Sequence, residues 1–252
     1  MTLQSRHVTK VFGGIVALDE CSVSIPQKGI TSIIGPNGAG KTTLFDVFSG
    51  FTRPDGGKVW WKSNDITTLS PDKRVHKGIV RTFQLVKIFP NMTVLENVVF
   101  AKKQFSERSW VSVFAFWKVS SEQRHIQEKA LEVLGYVGLE KKADMFASEL
   151  SFGEQKLLEV ARAIILDAEL ILLDEPAAGV SPMMKENVKV ILQNLARHGI
   201  GICLIEHDIK FIMDISDLII VMDRGREVMT GTPSEVLHDK RILDVYLGRS
   251  NA

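Results

Sequence analysis

The stretch "ITSII-GPNGAGKTT", Ile30 to Thr43, decides the fold of this 252-residue chain. "ITSII" is short and rich in β-branched residues, so it reads as a strand. Gly35 to Thr42 match G-x-x-x-x-G-K-[ST] directly behind it. "KTTLFDVFS" then runs at helical spacing and stops at Gly50. Strand, glycine-rich loop and helix are the setting that a phosphate-binding P-loop requires. Gly35, Gly38 and Gly40 let backbone N–H groups converge on phosphates. Lys41 is placed to reach the β and γ phosphates, and Thr42 to ligate Mg²⁺. Asn37 and Thr43 complete the nucleotide-binding stretch.

On either side of this loop the chain changes character. Before it lies the β-rich run "CSVSI", and after it "GKVWWKSNDI" reads as a strand and turn and "GIVRTF" as a short strand. From Thr93 to about Ala168 the pattern is helical: "TVLENVVFAKK", "SEQRHIQEKALEVLGYVGL" and "GEQKLLEVARAII". Buried strands then return as "LILLD", "GICLIE" and "DLIIVMD", with helical segments between them. Strands alternating with helices imply a mostly parallel sheet. "GTPSEVL" carries Thr232 as N-cap, Pro233 at the first helical position and Glu235 as its capping-box partner. The expected class is α/β. A P-loop NTPase core has an antiparallel β-subdomain, and a helical subdomain is inserted at about 90–168 of a single 1–252 unit.

Bulk properties narrow the function. Lys and Arg total 31 against 30 Asp and Glu, so nothing favours non-specific nucleic-acid binding. The two cysteines, Cys21 and Cys203, suit a reducing compartment. The N-terminus lacks the apolar core of a signal peptide, and no apolar run approaches the roughly 18 residues that span a bilayer. A membrane role is therefore expected to come through a partner.

Four further sites carry chemistry. "LILLDEP", Leu170 to Pro176, is an apolar strand ending in two acids. Asp174 at the strand end is placed to reach the Mg²⁺ of a P-loop nucleotide, and Glu175 to orient or deprotonate an attacking water. Gln84, after "GIVRTF", offers a neutral amide to Mg²⁺ or that water. His207, after "GICLIE", can donate to a γ-phosphate. "LSFGEQ" opens a second helix start, with Ser151 as a capping hydroxyl and Gly153 allowing close approach.

In this order the motifs resemble the ATP-binding cassette (ABC) ATPases over essentially the whole chain, and "LSFGEQ" is the element that separates that family from other P-loop proteins. The resemblance implies ATP with Mg²⁺ and an adenine resting on Phe12. It also implies a head-to-tail pairing with a second ABC ATPase subunit. Each nucleotide then lies between one Lys41 and the Ser151 and Gly153 of the other chain, which explains two phosphate-facing helix starts in one sequence. Catalytic roles fall to Glu175, His207 and Gln84, and metal ligation to Thr42, Gln84 and Asp174. The chain departs from the generic Leu-Ser-Gly-Gly-Gln at Phe152 and Glu154, and Ser181 stands where many members have Asp.

"RTFQLVKIFPNMTVLENV", "DEPAAGVSP", "IEHDIKFIMDISD" and "VYLG" are similar to the ATPases of branched-chain amino acid importers. Those transporters join two ATPases, two transmembrane permease subunits and a substrate-binding protein, and place the ATPase on the cytoplasmic face of the membrane. Lipopolysaccharide-export ATPases share the short C-terminal end, but "IEHDIKFIMDISD" favours the importers. Soluble ABC proteins acting on nucleic acid or ribosomes usually carry two cassettes or a long coiled coil, and neither is present here. The segment Leu85 to Pro90 is expected to wall a groove for a permease helix. Trp110, Phe114 and Trp117 in "SWVSVFAFWK" form a helical stripe expected either in the helical core or at a membrane-facing interface.

Overall fold

The computed structural model describes residues 2–82, 88–106 and 121–239, with side chains of 103–106 and 121–122 set aside. Gln84, residues 85–87 and the aromatic stripe Trp110, Phe114 and Trp117 lie outside the described residues.

Two sheets share the molecule. The six-stranded sheet has the order β11-β10-β4-β9-β8-β7. Its strands are β4 (Ile30–Ile34), β7 (Ile79–Arg81), β8 (Leu170–Asp174), β9 (Gly201–Ile205), β10 (Leu218–Asp223) and β11 (Arg226–Gly231). All neighbours are parallel except β11, which turns back on β10. The five-stranded sheet is antiparallel and runs β2-β1-β5-β6, with β3 also paired to β1. It contains β1 (Thr2–Phe12), β2 (Ile15–Cys21), β3 (Ser24–Pro26), β5 (Gly56–Trp61) and β6 (Asn64–Asp65).

The parallel strands explain their own composition. Leu170, Leu172, Cys203 and Ile205 face the antiparallel sheet and helix α1 (Lys41–Ser49), where Leu44, Phe45, Val47 and Phe48 are wholly buried. Ile171, Leu173, Ile202 and Leu204 face the opposite way. There they meet α3 (Val94–Ser106), α4 (Ser121–Tyr136), α5 (Phe152–Ile164) and α6 (Pro182–Arg197). A strand covered on both faces reads as an unbroken apolar run, as β8 and β9 do. Each such side chain contributes roughly 1.5–3 kcal/mol on burial. Two short helices, α7 (Ile209–Ile215) and α8 (Pro233–His238), pack beside β10 and the end of β4 through Ile212 and Val236. A last short helix, α2 (Pro71–Val75), precedes β7.

Among the described residues the expected helices and parallel strands are present, as is the Thr232 capping box. "CSVSI" is not one strand: it divides between the end of β2 and β3. β1, the longest strand, was not expected. Leu3, Ser5 and Val8 are buried, so the alternation changes phase across His7. His7 has φ 50°, and the pairings to β2 and β5 both shift register nearby. Such bulges hide a strand from a period-two reading. β11 escaped notice for another reason: it is an edge strand with one buried residue, joined to β10 through Arg224 and Gly225, both at positive φ.

Candidate functional site

The loop between β4 and α1 is shaped by packing as well as by what it could bind. Gly35 has φ 150°, and a Cβ there would lie 2.1 Å from the Met222 carbonyl oxygen at the end of β10. Gly40 has φ 95°, and its Cβ would lie 2.5 Å from the Ala17 carbonyl oxygen on β2. Gly38 has φ 84° and open space around it. Asn37 and Thr42 are exposed and Thr43 is half-buried, so the loop presents its polar groups outward. Lys41 is 6% exposed and donates from Nζ to the carbonyls of Gly35 (2.7 Å) and Pro36 (2.9 Å). Burial lowers its pKa, while the negative charges of Glu175 and Asp174 oppose that shift. The lysine and the two acids thus share one electrostatic site.

Asp174 ends β8 in register with Ile205 of β9, and Glu175 follows directly. Asp174 is buried, and desolvation raises its pKa against the pull of Arg81. Arg81 of β7 donates to Asp174 Oδ2 (3.2 Å) and also pairs with Asp46 on α1. Glu175 adopts φ 52°. For a residue with a Cβ that left-handed backbone costs roughly 1–2 kcal/mol. The geometry brings Glu175 Oε1 to 3.0 Å from His207 Nε2, at the end of the next strand. The Glu175 side chain is mostly covered, whereas that of His207 is half exposed.

Ser151 is the N-cap of α5 and accepts a hydrogen bond from the Glu154 N–H (3.4 Å). Glu154 Oε2 in turn accepts from the Ser151 N–H (3.0 Å) and hydroxyl (2.9 Å), and Lys142 meets Oε1 at 2.7 Å. The acid that departs from the generic motif is therefore a neutralised capping-box partner. Gly153 is needed by packing, since a Cβ there would fall 2.6 Å from Met184 Cγ on α6. Phe152 is 48% exposed, and its ring lies against Gly179. Ser181 serves as the N-cap of α6, accepting from the Met184 N–H.

Phe12 is 48% exposed at the tip of the β1–β2 hairpin, beside Val11, Ile15 and Val16, which are also exposed. Lys10 Nζ stands 5.2 Å from its ring centre. The site therefore gathers Lys41, Asp174, Glu175 and His207, holds Phe12 half exposed at a hairpin tip, and sets Ser151 and Gly153 at a separate helix start.

Three residues near the site were not singled out from sequence: Arg81, Lys156 and Glu206. Arg81 sits in "GIVRTF" and Glu206 directly precedes His207, so proximity to a motif was their available signal. Lys156 is a buried lysine on the apolar side of α5. No local pattern distinguishes it from a solvated helix lysine.

Comparison with known proteins follows the same lines. The family described as ABC transporter matches residues 18–178. The chain is 38% identical over 99% of its length to a probable branched-chain amino acid transport ATP-binding protein LivG of Archaeoglobus fulgidus, covering 96% of that protein. It is 35% identical to the high-affinity branched-chain amino acid transport ATP-binding protein BraF of Pseudomonas aeruginosa, covering 98% of each. Among solved structures it resembles an ATP-binding cassette of an ABC transporter in its ADP conformation, with a TM-score of 0.86, 35% identity and 99% and 100% of the two chains covered. A dimeric cassette in a post-hydrolysis state with ADP and phosphate matches with a TM-score of 0.75 and 26% identity, over 92% of this chain and 98% of that one. Fold, motif order and relatives agree that the chain belongs to the ABC transporter family, in which it is an ATPase cassette.

Proposed function

We propose that this cassette powers the import of branched-chain amino acids, or of related small polar solutes, across a membrane that it meets from the cytoplasmic face. The names of its relatives support that cargo. No helix among the described residues is long and apolar enough to cross a membrane, so membrane attachment would be through permease subunits. A substrate-binding protein would deliver the solute on the far side. The unbroken core from the parallel sheet into α3–α5 supports reading residues 1–252 as one cassette with an inserted helical subdomain. The docking surface for a permease helix would include Phe89, which is 37% exposed and packs edge-on against Phe100 at 4.9 Å.

The Glu175–His207 pair is the observation that carries the mechanism. Glu175 would accept a proton from water as that water attacks the γ-phosphorus, and the products are ADP and phosphate. His207 would steady the Glu175 carboxylate and donate to the γ-phosphate. Lys41 would leave the Gly35 and Pro36 carbonyls for the β and γ phosphates, with Asn37, Thr43 and the loop N–H groups around them. Phe12 would support the adenine, as its exposure permits. For the cation, the available donors are the exposed Thr42 hydroxyl and the Asp174 carboxylate, with Gln84 as a further ligand. Among the described residues no cluster of three or more His, Cys, Asp or Glu could hold a metal alone. Such a sparse oxygen set fits Mg²⁺, which is usually held by one or two carboxylates together with phosphates. There it would neutralise phosphate charge. Ser151 and Gly153 would face the nucleotide of a second cassette, head to tail.

Glu175→Gln tests this reading. It keeps size and leaves Lys41, Thr42 and Asp174 intact. ATP binding by titration should be retained and phosphate release should fall by at least about a hundredfold. Near wild-type release would refute Glu175 as the base.

A further inference from the structure

Residues 175–178 form the loop that holds Glu175, and three of their backbone groups are gripped by side chains from elsewhere. Lys156 Nζ on α5 donates to the Glu175 carbonyl (2.6 Å) and to the Ala178 carbonyl (2.7 Å). Glu206 Oε1 accepts from the Ala177 N–H (2.6 Å). Its second oxygen accepts from the N–H of His207 (3.2 Å). One carboxylate therefore ties down the backbone on both sides of the Glu175–His207 pair. Both clamp residues are buried, at 8% and 3% exposure. Burying a lysine and a glutamate is unfavourable unless they are well bonded. Here their bonds converge on the one turn that forces Glu175 into left-handed backbone.

The lysine also has a neighbour on the other side. The Phe152 ring, one helical turn earlier, lies with its centre 5.1 Å from Lys156 Nζ. Phe152 is half exposed at the tip of α5, beside Ser151. A continuous chain of contacts thus runs from the exposed helix start through Phe152 and Lys156 to the backbone of Glu175.

We propose that Lys156 and Glu206 are positioning residues that clamp the 175–178 loop, and that Lys156 links the α5 tip to the catalytic acid of the same chain. The inference rests on Glu175 being the base. Under the head-to-tail reading the α5 tip faces the other subunit's nucleotide. Seating of that nucleotide would then bear on Phe152 and Lys156 and align Glu175 for its own. The two sites would then be coupled through the Lys156 side chain.

The test is steady-state hydrolysis by the purified full chain with ATP and Mg²⁺. Lys156→Met should lower kcat about ten- to a hundredfold, as misplacing a reacting group does, while KM stays within about twofold. Lys156→Arg, which keeps charge and donors, should recover most of the loss. In a Glu175→Gln background, Lys156→Met should cost nothing further, because it acts through that carboxylate. A merely structural lysine would instead lower stability and leave this non-additivity absent. Wild-type kcat in Lys156→Met, or a loss that multiplies with that of Glu175→Gln, overturns the clamp. Full turnover in Glu175→Gln itself would instead sink the underlying assignment. If Lys156→Met does not fold, Lys156→Gln is judged by the same criteria.

Discussion

Arg74 shows how a charge can serve a core. It is 1% exposed, and its guanidinium donates to the carbonyls of Leu69, Val47, Phe48, Ile66 and Thr67. Burial lowers its pKa to about 10, so it remains charged at neutral pH. Two of the carbonyls belong to the last turn of α1, which leaves such groups unsatisfied. Arg74→Leu should remove all of these guanidinium bonds, though the Val47 carbonyl keeps the Gly50 N–H. With roughly 1 kcal/mol for each lost bond, urea unfolding should show a loss of about 3 kcal/mol or more. Glu206 raises the opposite issue. Desolvation raises its pKa, partly offset by the Ala177 and His207 N–H groups and by Lys156. A carboxyl with a folded pKa above its unfolded value favours the protonated fold. That contribution is full below the unfolded value, about 4.5, and is lost as pH rises through the folded pKa. Glu206→Gln should therefore gain melting temperature relative to the parent at pH 8 compared with pH 4. An unchanged difference between the two pH values would refute this. Stability given up at a functional position is a common trade-off.

Among the elements, the P-loop glycines divide by tertiary surroundings. Gly40 faces the Ala17 carbonyl and Gly38 faces open space, although both are at positive φ. Gly40→Ala meets strain and a backbone clash, whereas Gly38→Ala meets only strain. Gly38→Ala should thus cost about 1 kcal/mol and Gly40→Ala several times that, with the loop displaced. Thermal melting of the two variants in the absence of nucleotide separates packing from phosphate binding. Equal losses would show that the contact with β2 is unimportant. α5 teaches the same lesson. Its Ser151–Glu154 box is readable in the sequence, but the need for Gly153 comes from Met184 on α6.

For the whole molecule, one parallel sheet is covered by α1 and the antiparallel sheet on one face and by α3–α6 on the other. The loops that carry Lys41, Glu175 and His207 all leave the same edge of that sheet, after the parallel strands β4, β8 and β9. The α5 tip belongs to the helical side. Under the proposed pairing it would reach another chain's site. Ser151→Arg should leave ATP binding by dilute monomer intact. In a Glu175→Gln background, where blocked hydrolysis should let an ATP-dependent dimer accumulate, Ser151→Arg should abolish that dimer, read by size-exclusion chromatography. Collapse of binding in the monomer would show that Ser151 serves its own chain's nucleotide.

The glycine-rich loop and the acidic end of β8 were legible because each is a contiguous run of fixed local spacing, and His207 because it directly follows a covered strand. The alternating covered strands were legible because burial on both faces demands unbroken apolar runs. β1 was not, because its bulge at His7 breaks the periodicity on which such readings depend. Nor were Arg81, Lys156 and Glu206, whose hydrogen-bond partners lie at least 19 residues away except for the adjacent His207 N–H. Sequence by itself determined where the glycine-rich loop and the acidic strand end lie, and that covered strands alternate with helices. Only the tertiary structure decided which buried charges meet, because those contacts are made by side chains from elements that the chain brings together after long excursions.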